Sequence, residues 1–187
     1  MGKPKTSIKE VIKILNAGGV VIFPTETVYG LICDATNPAA LLKIYQIKNR
    51  ELGKSFPLLV KDFKMLADYA IFGVDQKKIM KSVKKPTNFI LKAKNLSPLV
   101  MQKHTAAFRI STHSWVKRLF RDFDRPLVAT SANLSGKKPI SDPRDYLTAF
   151  GDRSKLIEAI VSNGINRKTR ASAIIDITRK HHKIIRR

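Results

Sequence analysis

The chain has 187 residues, of which 43% are hydrophobic, enough for one domain with a proper core. Its 36 Lys and Arg against 14 Asp and Glu give a formal net charge of +22. This imbalance favours polyanionic ligands such as nucleotide phosphates or RNA, although a solubilising surface also accounts for it. No apolar run is long enough to cross a membrane, and the N-terminus lacks the apolar core of a signal peptide. The single cysteine, Cys33, is expected to be a buried thiol in a reducing cytoplasm.

Two helices are predicted on either side of the first strand. Ser7 and Glu10 form a capping box, and the apolar residues after them recur at helical spacing until Gly18. Asn37 and Pro38 suit the N-cap and first position of a second helix. Further strands are predicted at 56–60, 88–91, 106–110 and 127–129. Because helices alternate with strands, the sequence predicts an α/β fold.

A polar segment follows the first buried strand, which is predicted at 20–23. Pro24 ends this strand, and the sequence continues as Thr-Glu-Thr-Val-Tyr-Gly-Leu. Hydroxyls, a carboxylate and a phenol suit a small polar ligand here, since crevices at strand ends are common binding sites in α/β folds. An edge strand with polar side chains at alternate positions accounts for the same pattern, and the spacing alone favours neither interpretation.

Two later strands also carry polar groups of interest. Arg109 lies within an apolar strand, where a charge is costly unless it meets an anionic ligand or a carboxylate of the protein. The sequence Thr-Ser-Ala-Asn-Leu-Ser-Gly at 130–136 gathers hydroxyls and an amide at a strand end. These groups either form a cradle for a phosphate or carboxylate or satisfy only the backbone of a turn.

Several separated blocks together resemble the YrdC/TsaC family, the threonylcarbamoyl-AMP synthases. The blocks follow the family's order and read PTETVYGL at 24–31, KNR at 48–50, FPLLV at 56–60, FRI at 108–110 and TSANLSG at 130–136. The resemblance covers nearly the whole chain. It implies one YrdC-like domain over residues 1–187, with a twisted mixed sheet flanked by helices and a basic concave face.

The resemblance implies an enzyme, a nucleotidyltransferase that joins L-threonine, bicarbonate or CO2, and ATP into threonylcarbamoyl-AMP and pyrophosphate. In the family, a partner machinery transfers the threonylcarbamoyl group to adenosine 37 of tRNA, so tRNA is an expected partner. Mg²⁺ is expected to accompany ATP, held by phosphate oxygens and water rather than by a site made only of protein groups.

The same resemblance implies roles for individual residues. Lys48 and Arg50 are implied to be the catalytic cations that hold the nucleotide phosphates. Further nucleotide contacts are implied for Lys54, Ser55, Thr105, Asn133, Ser141 and Arg186. Threonine binding, or shaping of its pocket, is implied for Thr25, Thr27, Tyr29, Arg109, Ser131 and Ser172.

The sequence departs from the family pattern in two blocks. Trp-Pro-Gly-Pro is replaced by Val-Lys-Lys-Pro at 83–86, and Glu-Ser-Thr-Val-Val-Asp by Ala-Ser-Ala-Ile-Ile-Asp at 171–176. These changes leave open a divergent paralogue that binds RNA or nucleotides without synthase activity. Retention of Lys48 and Arg50 favours the synthase.

Overall fold

The computed structural model describes residues 6–166, 172–179 and 181–186. Six α-helices are present in these ranges: α1 (Ile8–Asn16), α2 (Pro38–Lys48), α3 (Phe63–Tyr69), α4 (Val74–Ser82), α5 (Ser114–Asp122) and α6 (Tyr146–Phe150). Short 3-10 helices lie at Pro98–Val100, Pro143–Asp145 and Gly151–Leu156. The predicted starts of the first two helices are confirmed, because Ser7 forms a full capping box with Glu10 and Asn37 caps the N-terminus of α2.

The strands form one large mixed sheet, which confirms the α/β class. They are β1 (Val21–Phe23), β2 (Gly30–Asp34), β3 (Leu58–Val60), β4 (Ala70–Ile71), β5 (Thr87–Ala93), β6 (Thr105–Ile110), β7 (Leu127–Ser131), β8 (Ala159–Ile160), β9 (Ala173–Asp176) and β10 (Lys183–Arg186). Their order is β10-β9-β5-β6-β3-β7-β2-β1-β8, and β4 pairs with β5. Three of the pairs, β1/β8, β3/β6 and β5/β9, are parallel.

The sheet has a helix-packed face and a face that carries polar side chains. On β5 and β6, Phe89 and Phe108 are opposite each other in the register and are buried in the core. Since side chains alternate along a strand, the neighbouring residues Asn88 and Arg109 point to the other face. Both are nevertheless more than 90% buried.

Two features of the sequence fit this arrangement. Cys33 lies on β2 and is fully buried, as predicted, and burial raises the pKa of its thiol far above the ordinary value. Gly30 lies where β2 approaches β7, and a Cβ added there would lie 3.1 Å from the carbonyl oxygen of Thr130. A side chain at this position would therefore require the Thr130 carbonyl to shift by a few tenths of an ångström. Among the described residues, no helix is long and apolar enough to span a membrane.

Candidate active site

A cavity of about 350 Å³ lies on the polar face of the sheet. Its walls come from β5, β6, β7, the C-terminal strands and the segment 24–29, here called the signature loop. Eight of the residues implied by the family resemblance line it: Thr25, Thr27, Arg50, Ser55, Arg109, Ser131, Ser172 and Arg186. Six others, Tyr29, Lys48, Lys54, Thr105, Asn133 and Ser141, are not among the lining residues.

The signature loop is a turn rather than an edge strand. The hydroxyl of Thr25 donates to the carbonyl of Val28 at 2.7 Å, and the backbone N–H of Thr27 points to the Thr25 hydroxyl at 3.4 Å. These local bonds close the loop, so that both threonines line the cavity wall. Tyr29 instead points into the core, where it is fully buried and its hydroxyl lies 2.7 Å from Asn163 Oδ1.

Arg109 joins three separate parts of the chain. Its guanidinium donates to the hydroxyl of Ser172 and forms an ion pair of 3.6 Å with Glu26 of the signature loop. Its Nε has no hydrogen-bond partner among the residues that the structure describes. The pairing of Arg109 with a protein carboxylate is therefore confirmed. Arg109 also lines the cavity, and its contact with an anionic ligand stays a prediction.

Glu26 is the carboxylate of the signature loop, and the family resemblance gave it no role of its own. One carboxylate oxygen accepts hydrogen bonds from the hydroxyl of Ser111 and from the backbone N–H of Thr112. Burial raises the pKa of Glu26, but the charge of Arg109 and these hydrogen bonds outweigh it, so the pKa lies below its ordinary value of 4.5. Glu26 is therefore an ionised counter-charge behind Arg109 at neutral pH.

Lys48 ends α2 with its ammonium behind the cavity wall. The side chain donates to the carbonyl of Ser131 at 2.6 Å, to the carbonyl of Asn133 at 2.8 Å and to Asn133 Oδ1 at 3.2 Å. Burial, together with the nearby charge of Arg50, lowers the pKa of Lys48 to about 7. With three protein oxygens around it, this group ties α2 to the loop after β7.

The amide of Asn133 is also fully engaged within the protein. Its Oδ1 accepts from the Ser131 hydroxyl, and its Nδ2 donates to the carbonyls of Leu134 and Lys137 at 2.7 and 2.6 Å. The turn interpretation of residues 130–136 therefore describes Asn133. Ser131, by contrast, faces the cavity.

Arg50 is the cation that α2 and the following loop present to the cavity. Its Nε donates to the carbonyl of Lys54 at 2.7 Å, and its guanidinium lies 5.1 Å from the centre of the Phe56 ring. Ser55 lines the cavity beside it. The Lys54 side chain points away to an exposed ion pair with Glu51 at 2.9 Å.

Two predicted nucleotide contacts lie elsewhere. Thr105 donates to the carbonyl of Gln102 at 2.7 Å and lines a separate surface hollow with Lys92 and Thr178. Thr105 begins β6, whereas Arg109 lies near the end of that strand, so the two side chains are at opposite ends of it. Ser141 is exposed, and its carbonyl accepts from the backbone of Asn166.

The remaining cavity groups come from the second half of the chain and from β5. Arg186 of β10 donates two hydrogen bonds to the carbonyl of Ser172, at 2.9 and 2.6 Å. Asn88 and Gln102 line the wall as well, although no sequence motif pointed to them. Within the described ranges, no group of three or more His, Cys, Asp or Glu side chains is arranged to hold a metal ion.

The fold and the cavity define an α/β protein with a polar cavity walled by arginines and hydroxyls. The chain belongs to the Sua5/YciO/YrdC family, whose model, described as telomere recombination, matches residues 13–187. A curated relative from Photobacterium profundum is named threonylcarbamoyl-AMP synthase. It is 30% identical over 157 residues, which cover 81% of this chain and 85% of the relative.

Solved structures match as well. The crystal structure of P. abyssi Sua5 complexed with L-threonine has a TM-score of 0.86 and 26% identity, covering 96% of this chain and 53% of that chain. This chain therefore spans about half the length of that protein. The structure of E. coli YciO, at 24% identity and a TM-score of 0.84, covers 96% of this chain and 87% of that chain, and supports the fold alone.

Proposed function

We propose that this protein is a threonylcarbamoyl-AMP synthase, which makes threonylcarbamoyl-AMP and pyrophosphate from L-threonine, bicarbonate or CO2, and ATP. The observation that carries the proposal is the cavity itself, which brings Arg50, Arg109 and Ser131 together from positions far apart in the sequence. The family membership and the relative named for this activity support it.

Arg50 is the group best placed for the triphosphate. It lines the cavity, and its hydrogen bond to the Lys54 carbonyl and its contact with Phe56 fix the direction of the guanidinium. A planar guanidinium suits phosphate oxygens, and a fixed cation stabilises the charge that develops as pyrophosphate leaves. Ser55 offers a hydroxyl beside it.

A second group of lining residues suits the amino acid. Arg109, with Glu26 behind it, supplies a cation for a carboxylate, and Ser172, Thr27 and Thr25 supply hydroxyl groups around it. The carbamate made from threonine and CO2 attacks the α-phosphorus of ATP, so no covalent enzyme intermediate is needed. The main task of the site is to hold the reactants in line.

Lys48 acts from behind the wall. Its ammonium is engaged by the oxygens of Ser131 and Asn133, so we infer that it holds the loop after β7 in the shape that presents Ser131 to the cavity. A direct phosphate contact would require Lys48 to give up these hydrogen bonds.

The lining groups of the cavity in the described part of the chain include no carboxylate. We therefore infer that Mg²⁺ enters with ATP and is held by phosphate oxygens and water. We also propose that tRNA and the machinery that modifies it are partners, since the net charge of +22 favours polyanions. The cytoplasm is the proposed location, in keeping with one buried cysteine.

The decisive experiment measures pyrophosphate release from ATP with Mg²⁺ and bicarbonate, with and without L-threonine. We expect release that depends on both threonine and bicarbonate, and a product with the mass of threonylcarbamoyl-AMP. Folded protein that binds ATP but shows no threonine-dependent release would contradict the proposal. A divergent paralogue would then be the better description, tested by RNA binding at increasing salt, where a steep fall in affinity indicates phosphate contacts.

A further inference from the structure

Asn88 is a buried amide whose side-chain oxygen is not used by the fold. It is the second residue of β5, it is 4% exposed, and it lines the cavity. Its Oδ1 has no hydrogen-bond partner within the described part of the chain. Such groups are uncommon, because burying an unpaired amide destabilises a folded protein.

The surroundings of Asn88 indicate which ligand would satisfy it. Phe89 pairs with Phe108 in the antiparallel register of β5 and β6, so Asn88 lies opposite Arg109. On its other side Asn88 pairs with Ile174 of β9, two residues after Ser172. Asn88 thus lies at the Arg109 end of the cavity, where a buried guanidinium Nε is also without a partner among the described residues.

The chemistry of these two unpaired groups matches an amino acid. Arg109 offers an N–H donor with a positive charge, which suits a carboxylate. The amide of Asn88 offers either an oxygen acceptor or an N–H donor, depending on how it is turned. It can therefore accept from the amino group of an α-amino acid and donate to a carbamate formed on that nitrogen.

We propose that Asn88 is a further substrate-binding residue, whose amide binds the amino nitrogen of L-threonine and the carbamate made from it, next to the carboxylate at Arg109. This inference rests on the proposed synthase function. The fold gains nothing from the amide oxygen, so a leucine of similar shape should fold at least as well while losing the contact with the substrate.

The test compares wild type with Asn88→Leu. We expect the KM for L-threonine to rise by about 10- to 100-fold, because a hydrogen bond to a charged group is lost. The KM for ATP should stay within about twofold of the wild-type value. The melting temperature should be unchanged or higher. Gln46→Leu is the control, because Gln46 is an exposed amide on α2 that is not among the residues lining the cavity, so its threonine KM should stay at the wild-type value.

A threonine analogue with a hydroxyl in place of the amine sharpens the test. Wild type should bind L-threonine more tightly than this analogue, and Asn88→Leu should lose most of that preference. The inference is overturned if Asn88→Leu keeps the wild-type KM for threonine, raises only the KM for ATP, or melts several degrees lower. If the wild-type protein itself shows no threonine-dependent pyrophosphate release, the synthase function fails, and the inference fails with it.

Discussion

The ammonium of Lys48 donates to the backbone carbonyl of Ser131 at 2.6 Å, although 83 positions separate the two residues in the sequence. The side chain of Ser131 lines the cavity, while Lys48 is only 2% exposed. The end of α2 therefore sets the position of the loop after β7, and a basic side chain that does not line the cavity can still shape it.

Replacing Lys48 with methionine should destabilise the protein. Methionine fills similar space but donates no hydrogen bond, so the Asn133 carbonyl loses its donor and the Ser131 carbonyl keeps only the bond from the backbone N–H of Asn133. We expect the free energy of unfolding to fall by about 1–3 kcal/mol, the cost of a buried acceptor left unsatisfied. Urea unfolding measures this, with the exposed Lys64→Met as the control. If Lys48→Met is as stable as wild type, the hydrogen bonds of Lys48 do not hold the loop after β7 in place.

The local structure could largely be predicted from the sequence. The capping box at Ser7, the N-cap at Asn37 and the strand around Phe89 depend on neighbouring residues, and such patterns are visible in the chain itself. The order of the strands could not be predicted in this way, because it depends on contacts between residues far apart. The parallel pair of β5 and β9 joins segments about 86 positions apart.

The difference between local patterns and long-range contacts also explains which features of the site sequence reasoning missed. Arg109 stood out because a charge in an apolar strand needs a partner, but its partner Glu26 lies 83 positions earlier. Asn88 lies on a strand with no motif around it, and only the fold reveals that its amide oxygen is unpaired among the described residues. Lys48 and Tyr29 belong to recognisable blocks, yet the direction of their side chains depends on tertiary packing.

The ion pair between Glu26 and Arg109 should give a pH-dependent contribution to stability. The pKa of Glu26 is lowered below 4.5, so its contribution is present above that pH and is lost as the pH falls through the lowered pKa. At neutral pH we expect Glu26→Gln to lower the free energy of unfolding by roughly 2–4 kcal/mol. Because glutamine can still accept from Ser111 and Thr112, most of this loss reports the charge.

Urea unfolding of wild type and Glu26→Gln across about pH 3–7 measures the effect. The two proteins should differ most above about pH 5 and converge as the pH falls through the lowered pKa of Glu26. A difference that does not change with pH would mean that the charge of Glu26 contributes nothing, and that its shape alone is required.

Arg50 and Lys54 should behave differently when each is replaced with alanine. Arg50 lines the cavity, whereas Lys54 forms an exposed pair with Glu51. If Arg50 holds the triphosphate, Arg50→Ala should raise the KM for ATP and lower kcat, together reducing kcat/KM by about 100-fold or more. Lys54→Ala, which removes a similar charge from the same loop, should stay within about threefold of wild type. Steady-state pyrophosphate release measures kcat/KM for both variants. Equal losses of kcat/KM in the two variants would indicate general electrostatic attraction rather than a phosphate contact.

The family resemblance implies that Tyr29 shapes the pocket, whereas its position in the core indicates that it stabilises the fold. Its hydroxyl lies within hydrogen-bonding distance of Asn163 Oδ1 and the carbonyl of Gly164, at 2.7 and 2.6 Å, and the side chain is fully buried. Tyr29→Phe should lower the free energy of unfolding by about 1–2 kcal/mol, since the acceptor of the single hydroxyl proton loses its donor and the backbone N–H of Asn163 loses its acceptor. The KM values for threonine and ATP should be nearly unchanged, because Tyr29 does not line the cavity. Thermal unfolding and steady-state kinetics on the same preparation measure both; a several-fold rise in the threonine KM with unchanged stability would place the phenol in substrate binding instead.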